Sequence, residues 1–435
     1  KHKLYYYLME LSFEQQTAFD LYKSGKSLFI SGPGGSGKSH LIQVIEQHAK
    51  SNGKNYQITA TTGVAATNLE IKGAKTINSW AGIGVPKGDF GIIAARIAGN
   101  KYKKKPWKDV DVLVIDEVSM LSMDVFDLLD NIGRLVRKRL DEPFGGIQVI
   151  FSGDFYQLPP IGQDVRFCFE SSRWKECFED QIVLNTIFRQ NDSLFKSVLN
   201  QIREGRLNKQ GYDLLQSRVG LEVPEGVTCT KIMPTRFAVD KINNSELQKL
   251  EGKEYRYKIA RTCTDPMTLS QSDKQLSRFK TETQREYEFN EMSRNLICEA
   301  ETVFKEGCHV MCIANMEDLC NGSTGVITGF SGNGLPKVKF NNGIEKIMAY
   351  YTRRSENIHD LSIMYMPLIP SWAITIHKSQ GITLDYGEID AGNGIFEMGQ
   401  TYVALSRLRT VEGLFLSGFN AGKIRCHPKV KDFYS

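Results

Sequence analysis

Short apolar runs that end in glycine or in a carboxylate recur along the chain, and they set the first structural expectations. Residues 27–31 (SLFIS) read as a buried strand that runs directly into Gly32-Pro-Gly-Gly-Ser-Gly-Lys38-Ser39, and LIQVIEQHAK follows with helical apolar spacing. A second apolar stretch, 110–115 (VDVLVI), ends in Asp116-Glu117, and a third, 147–152 (IQVIFS), ends in Gly153-Asp154-Phe155-Tyr156-Gln157. Apolar runs such as 112–115 and 149–151 have the length of buried strands. None approaches the roughly 18 residues of a membrane-spanning helix. From about 314 to 367, short alternating segments such as STGVITGF and PKVKF are separated by Gly, Asn and Pro, which predicts small antiparallel strands.

Length changes this picture first. The chain has 435 residues, which at about 150 residues per domain suggests two large domains, or two with an insert. With 41% hydrophobic and 24% charged residues, it has the composition of a globular chain with a real core, and disordered or fibrous classes are excluded. A formal charge of +5 disfavours an acidic scaffold without proving a polyanionic partner. The nine cysteines are odd in number and scattered, which fits reduced thiols in an intracellular compartment. Cys308, Cys312 and Cys320 with His309 could be read as a zinc cluster. No paired C-x-x-C spacing supports that, and the alternation of CHVMCIA puts Cys308, Val310 and Cys312 on one strand face as core thiols. The opening KHKLYYYLME has no signal-peptide apolar core and begins with Lys, so trimming of the N-terminus is expected.

The chemistry is concentrated where the strands end. A strand, a glycine loop and a helix in that order form a phosphate cradle. The glycines let backbone N–H groups approach the anion, the helix N-terminus adds a favourable dipole, Lys38 supplies a point charge, and the Ser39 hydroxyl can hold magnesium. Asp116, at the end of its strand, would hold Mg2+, and Glu117 would orient and activate water. Gln157 would stand at the same sheet edge and sense the terminal phosphate, the alternative being a turn residue before a proline stop. The run 101–108 (KYKKKPWK) has the basic and aromatic look of a nucleic-acid patch, or of a solvated loop. Trp80 is read as core.

The set GPGGSGKS, ATTGVAA, DEVSM, PFGGIQVIFSGDFYQLPP, FRQ, TIHKSQG and YVALSR resembles the helicase motifs of the Pif (petite integration frequency) family of superfamily one. The likeness spans nearly the whole chain. It is most specific at residues 126–148 (FDLLDNIGRLVRK…PFGGIQ), and weakest from about 255 to 300. The ending GKIRCHPKVKDFY is similar to the eukaryotic members.

The resemblance implies an α/β fold of two RecA-like P-loop motor domains with parallel sheets. The first would be 1–180, with a wedge insert at about 66–106. The second would be 181–313 with 368–435, and 314–367 would be an SH3-like β-barrel insert. It implies ATP and Mg2+ as cofactors and a nucleotide site of Gln15, Gly32, Pro33, Gly34, Gly35, Ser36, Gly37, Lys38, Ser39 and Gly381, with Gln15 reading adenine through its donor and acceptor amide. Arg189 and Arg407 would reach the γ-phosphate from the second motor domain. Contacts to single-stranded DNA would come from Thr61, Thr62, Gly63, Asn78, His377 and Lys378. Asn78 stands where many members carry His. The implied function is an ATP-dependent DNA helicase moving five-prime to three-prime and opening duplex or guanine-quadruplex DNA in replication, repair, recombination and telomere maintenance. The alternative is a single-strand translocase that displaces proteins and unwinds weakly. A monomer with DNA-induced association, no membrane contact, and a nuclear or mitochondrial location complete the expectation.

Overall fold

The computed structural model describes residues 11–435 except 70, 72, 85, 87, 163–165, 225, 226, 228, 264–279, 295, 297, 315, 317, 318, 320–322, 356, 357 and 359. The expectations for the opening decapeptide and for Cys320 lie outside the described residues. The chain divides into two compact units, Lys1–Pro234 with Thr375–Ser435, and Thr235–Ile374.

The first unit is built on a six-stranded sheet: β1 (Leu28–Ser31), β2 (Tyr56–Ala60), β3 (Lys75–Thr76), β4 (Val112–Asp116), β5 (Gln148–Gly153) and β6 (Asp180–Val183). Its order is β3-β2-β4-β5-β1-β6, and every pairing is parallel. Near-continuous apolar strands suit a sheet covered on both faces. The side chains divide with period two: Leu28, Ile30, Val112, Val114 and Ile150 pack on one face with Leu41, Ile42 and Ile45, whereas Phe29, Leu113, Ile115, Val149 and Phe151 join the opposite core with Phe126 and Trp174.

Register decides where chemistry can collect. Ala60 pairs with Asp116, Thr76 with Ala60, and Ser31 with Gly153. The carboxyl ends of five strands therefore finish level, at the edge where open α/β sheets bind ligands.

The helices follow from local signals. α1 (Phe13–Lys23) opens with a capping box in which Ser12 and Gln15 satisfy each other's backbone N–H groups. α2 (Lys38–Ser51) leaves the glycine loop, and α3 (Gly63–Asn68) follows β2. α4 (Met123–Arg137) carries the segment in which the resemblance is most specific. Its Asp130, fully buried, accepts hydrogen bonds from Arg134 Nε (2.8 Å), Arg173 Nη1 (2.8 Å) and Phe144 N (2.7 Å). That segment is a structural bracket, since it fixes the PFGG turn from which β5 departs.

The lysine-rich run 101–108 forms a short helix, Lys104–Asp109, rather than a loop. Trp107 is fully buried, lies 4.6 Å from Trp80 between ring centroids, and donates Nε1–H to the Ala81 carbonyl. Lysines and the exposed Tyr102 remain on the outside of the run, and Trp80 is core as expected.

Residues near the end of the first unit add β7 (Thr230–Met233), β8 (Gly387–Ala391) and β9 (Leu414–Phe419), parallel neighbours with β8 in the middle. With them come α5 (Ser193–Arg203), α6 (Gln400–Leu405) and α7 (Pro428–Tyr434).

The second unit contains a five-stranded antiparallel sheet, in the order Glu345–Ile347, Pro336–Phe340, Thr324–Phe330, His309–Cys312, Leu368–Pro370. Cys308, Val310 and Cys312 are fully buried in its core with Ile327, Val338 and Phe340.

Candidate functional site

The glycine loop between β1 and α2 lines a cavity of about 250 Å³ together with Asp116, Glu117, Gln157, Arg189 and Arg407. Two of its glycines are obligatory. Gly35 has φ +86° and passes so close to the Arg189 backbone that a Cβ would lie 2.5 Å from Arg189 Cβ; Gly37, at φ +82°, would drive a Cβ into the Gln15 amide.

Lys38 Nζ donates to the carbonyls of Gly32 (2.6 Å) and Pro33 (3.0 Å). Burial lowers its pKa, while Asp154, Glu117 and Asp116 pull it back towards the charged form. Gln15 is 2% exposed and its amide is engaged at both ends: Oε1 accepts from Ser12 N, and Nε2 donates towards the carbonyls of Ser36 and Gly37. It caps α1 and also braces the loop.

Across the sheet edge, the Asp116 carboxyl is pushed up to about 6 by burial and by neighbouring Glu117. Glu117 itself sits at φ 55°, ψ 42°, a left-handed conformation that costs a non-glycine residue roughly 1–2 kcal/mol. Thr61 holds it there, its N–H donating to Asp116 O (3.1 Å) and its hydroxyl to Glu117 O (2.8 Å). The turn after β5 brings in Gln157, buried at the same edge. Gln380 Nε2 then donates to Glu117 Oε2 (3.0 Å) and towards Gln157 Oε1 (3.4 Å).

The two arginines close the far side. Arg189 Nη1 donates to Ser406 O (2.9 Å); Arg407 donates from Nε to Val403 O and from Nη2 to Ser406 Oγ, both at 2.8 Å. A Cβ built on Gly34 would lie 3.4 Å from Arg407 Nη2 and 3.5 Å from Arg189 Nη1, so both guanidinium groups stand over the loop. Arg189 is pushed down to about 9 by burial and by the charge of Arg407, and burial lowers Arg407 as well. Arg407 is buried and Arg189 half-buried; Glu117 acts on both through space, but neither forms an ion pair with a carboxylate among the described residues, and such adjoining like charges mark a place shaped for an anion.

The oxygen donors that resemblance assigned to magnesium, Ser39 and Asp116, line this cavity. A hydroxyl and a buried carboxylate whose ionisation is opposed by a second carboxylate form the hard donor set that a divalent cation fits.

Of the six residues read as DNA contacts, Thr61 spends its hydroxyl on Glu117, and Thr62 Oγ1 accepts from Ala65 N at the start of α3. Gly63 opens α3 and is exposed. Asn78, half-buried in the helix Ile77–Trp80 after β3, shares the strand-end edge with Thr61. The His377 ring lies parallel to Phe396, 6.3 Å between centroids, and Lys378 N donates to Thr375 Oγ1.

Three residues of the site went unread in the sequence. Gln380, inside the quoted TIHKSQG, joins Glu117 to Gln157. Asn68, at the end of α3, lines the cavity with Nδ2 buried and without a hydrogen-bond partner among the described residues; a Cβ on Gly381 would lie 2.5 Å from it. Tyr402 receives the Gly34 N–H at 2.8 Å. Gln380 and Tyr402 lie within motifs but carry no charge to draw the eye, and Asn68 lies just past one.

Comparison with known proteins gives this geometry a context. The family model described as PIF1-like helicase matches residues 10–212. The human ATP-dependent DNA helicase PIF1 is 35% identical over 98% of this chain, which spans 64% of that relative's length. A Pif1 helicase crystal structure from Candida albicans superposes with a TM-score of 0.81 at 33% identity, covering 98% of this chain and 99% of that one. A Bacteroides Pif1 helicase solved in complex with ADP-AlF3 and single-stranded DNA gives 0.68 at 28% identity, covering 98% and 97%. With RecA-like parallel sheets, a phosphate loop beneath two arginines and likeness across its full length to solved Pif1 helicases, the chain belongs to the PIF1-like helicase family.

Proposed function

We propose that this chain is the motor of an ATP-dependent DNA helicase. The observation that carries the reading is the convergence of Lys38, Asp116, Glu117, Gln157, Arg189 and Arg407 on one cavity of about 250 Å³ at the sheet edge. ATP would lie with its phosphates on the loop amides and Lys38, and Gln15 would border the adenine. Ser39 and Asp116 would hold Mg2+, which when bound neutralises phosphate charge. Glu117, aimed by Gln380, would accept the proton of the attacking water. Gln157 would report the terminal phosphate to the turn after β5. Arg189 and Arg407 would stabilise the charge that develops on the transferred phosphoryl group.

In this reading 1–180 would form a first motor domain and 181–313 with 368–435 a second. An SH3-like insert at 314–367 draws support from the antiparallel sheet, two of whose strands, His309–Cys312 and Leu368–Pro370, lie just beyond those bounds. Single-stranded DNA would cross the strand-end edge past Thr61, Thr62, Gly63 and Asn78, and also past His377 and Lys378. The hydrogen bond from the Thr61 hydroxyl to the Glu117 carbonyl would tie that track to the residue that carries the catalytic carboxylate. The segment 66–106 would be the wedge. The Bacteroides relative binds a nucleotide analogue and single-stranded DNA together, which favours the same pair of ligands here. Movement from five-prime to three-prime, action on guanine quadruplexes, association on DNA, and work in the nucleus or mitochondrion belong to the same proposal.

Each stacking step opened costs roughly 1.4 kcal/mol, so unwinding is a demanding readout. The test compares duplexes bearing a five-prime or a three-prime overhang, with and without ATP and Mg2+. Unwinding only from the five-prime overhang is expected. ATP-driven displacement of a bound protein without strand separation would establish a translocase instead.

A further inference from the structure

Behind the phosphate loop lies a buried polar chain that none of the assigned roles uses. Gly34 N donates to the Tyr402 hydroxyl at 2.8 Å, and that hydroxyl donates to Asp154 Oδ2 at 3.3 Å. Asp154 is fully buried and is clamped by Arg203 at the end of α5, from Nε to Oδ2 at 3.0 Å and from Nη2 to Oδ1 at 2.9 Å. Arg203 in turn lies over the Tyr156 ring at 4.3 Å. Tyr156 N also donates to Asp154 Oδ1 at 3.3 Å, within the turn that delivers Gln157.

A buried hydroxyl that takes one hydrogen bond and gives another fixes a geometry rather than adds much stability, because removing it leaves the Gly34 N–H without its partner. Tyr402 sits in α6, the helix that leads into Ser406 and Arg407. Ser406 O receives Arg189, and Arg407 is bonded back to Val403 O in the same helix. The only hydrogen bond that the described structure shows from the loop's Gly34 amide goes to this helix. Both guanidinium groups come within 3.5 Å of the space above Gly34.

We propose that Tyr402 is a positioning residue for ATP hydrolysis: its hydroxyl, taking the Gly34 N–H and donating to Asp154, seats α6 on the phosphate loop and so sets where Arg407 and Arg189 stand. This rests on the reading of the cavity as the ATP site. Tyr402 touches no substrate in this account; it acts through the arginines.

A matched control lies close by. Tyr434, in α7, is a half-buried tyrosine beside Asp154, but its hydroxyl bonds to Ser31 Oγ (2.6 Å) and accepts from Phe155 N (3.4 Å), not from the loop amide. Tyr402→Phe keeps the ring and removes only the hydroxyl. In the full chain with single-stranded DNA, kcat for ATP should fall about tenfold, the effect of one lost hydrogen bond felt in the transition state. KM and the affinity for a fluorescent ATP analogue should stay within about twofold of the parent.

Tyr434→Phe should cost comparable thermal stability and keep kcat within about twofold. Combining Tyr402→Phe with Arg407→Ala should add little to Arg407→Ala alone, because the two act in series. The role is overturned by an unchanged kcat in Tyr402→Phe, by additive effects in the double variant, or by an equal kcat loss in Tyr434→Phe. A parental rate in Arg407→Ala would overturn this inference together with the reading of the cavity. A parental rate in Tyr402→Phe beside a crippled Arg407→Ala would overturn the positioning role alone.

Discussion

The parallel sheet of the first unit and the antiparallel sheet of the second are both covered by ordinary apolar cores, yet only one collects chemistry at its edge. In the parallel sheet the strands share one direction, so five carboxyl ends finish together and the loop, Asp116-Glu117 and the Gln157 turn meet. The antiparallel strands alternate direction, and their ends divide between two edges joined by short turns. The first arrangement tolerates strain and buried charge, as at Glu117, Arg189 and Arg407, because many converging groups hold them. The second buries thiols and aliphatic side chains and depends on packing alone. A fold of the first kind is sensitive to single polar atoms, and one of the second kind to volume.

Substitutions can break or sharpen that contrast. The largest effect is expected at Arg407. Arg407→Ala should reduce DNA-stimulated ATP turnover about 10³–10⁵-fold, the range for arginine fingers in phosphoryl transfer, with nucleotide affinity changed far less. Steady-state ATPase assays with and without single-stranded DNA check it, and retained stimulation would deny the arginine its place over the loop. Next comes Glu117→Gln, expected to lower turnover about 10²–10⁴-fold while ATP and Mg2+ still bind. Single-turnover hydrolysis beside equilibrium binding measures both, and a parental rate would remove Glu117 from the chemistry.

On the other side of the comparison, Phe340→Ala in the core of the antiparallel sheet should cost about 3–5 kcal/mol of stability in denaturant titration. Its effect on nucleotide affinity should be slight. A fall in ATP affinity as large as that in stability would show that the two regions are not separable in this way. The smallest effect concerns thiol reactivity. Burial pushes the Cys308 thiol up to about 12 and also raises Cys312, whereas Cys263 is exposed. A thiol reagent at neutral pH should therefore modify Cys263 well before Cys308 or Cys312, and mass mapping of the modified peptides would show the reverse order if the antiparallel core were open.

Much of the nucleotide side was legible because its chemistry is local. Strand, glycine loop and helix are contiguous in residues 27–51, and the glycines needed at positive φ can be read one by one. Asp116 and Glu117 follow directly from an apolar strand, and Cys308, Val310 and Cys312 share a buried face by simple alternation. The tertiary structure decided what depended on distant partners. Trp107 looks like a stacking residue in a basic run, but its partner Trp80 lies 27 positions earlier, and pairing took it into the core. Thr61, read as a DNA contact, gives its hydroxyl to a turn 56 residues away, because β2 and β4 end level. Gln380 and Tyr402 are uncharged and their partners lie hundreds of positions away, so no pattern along the chain marks them. The sequence by itself determined which strands end in chemistry, since that follows from neighbouring residues. Only the packed chain decided which hydrogen-bonding groups face one another, because a polar atom's role depends on what burial leaves within about 3 Å of it.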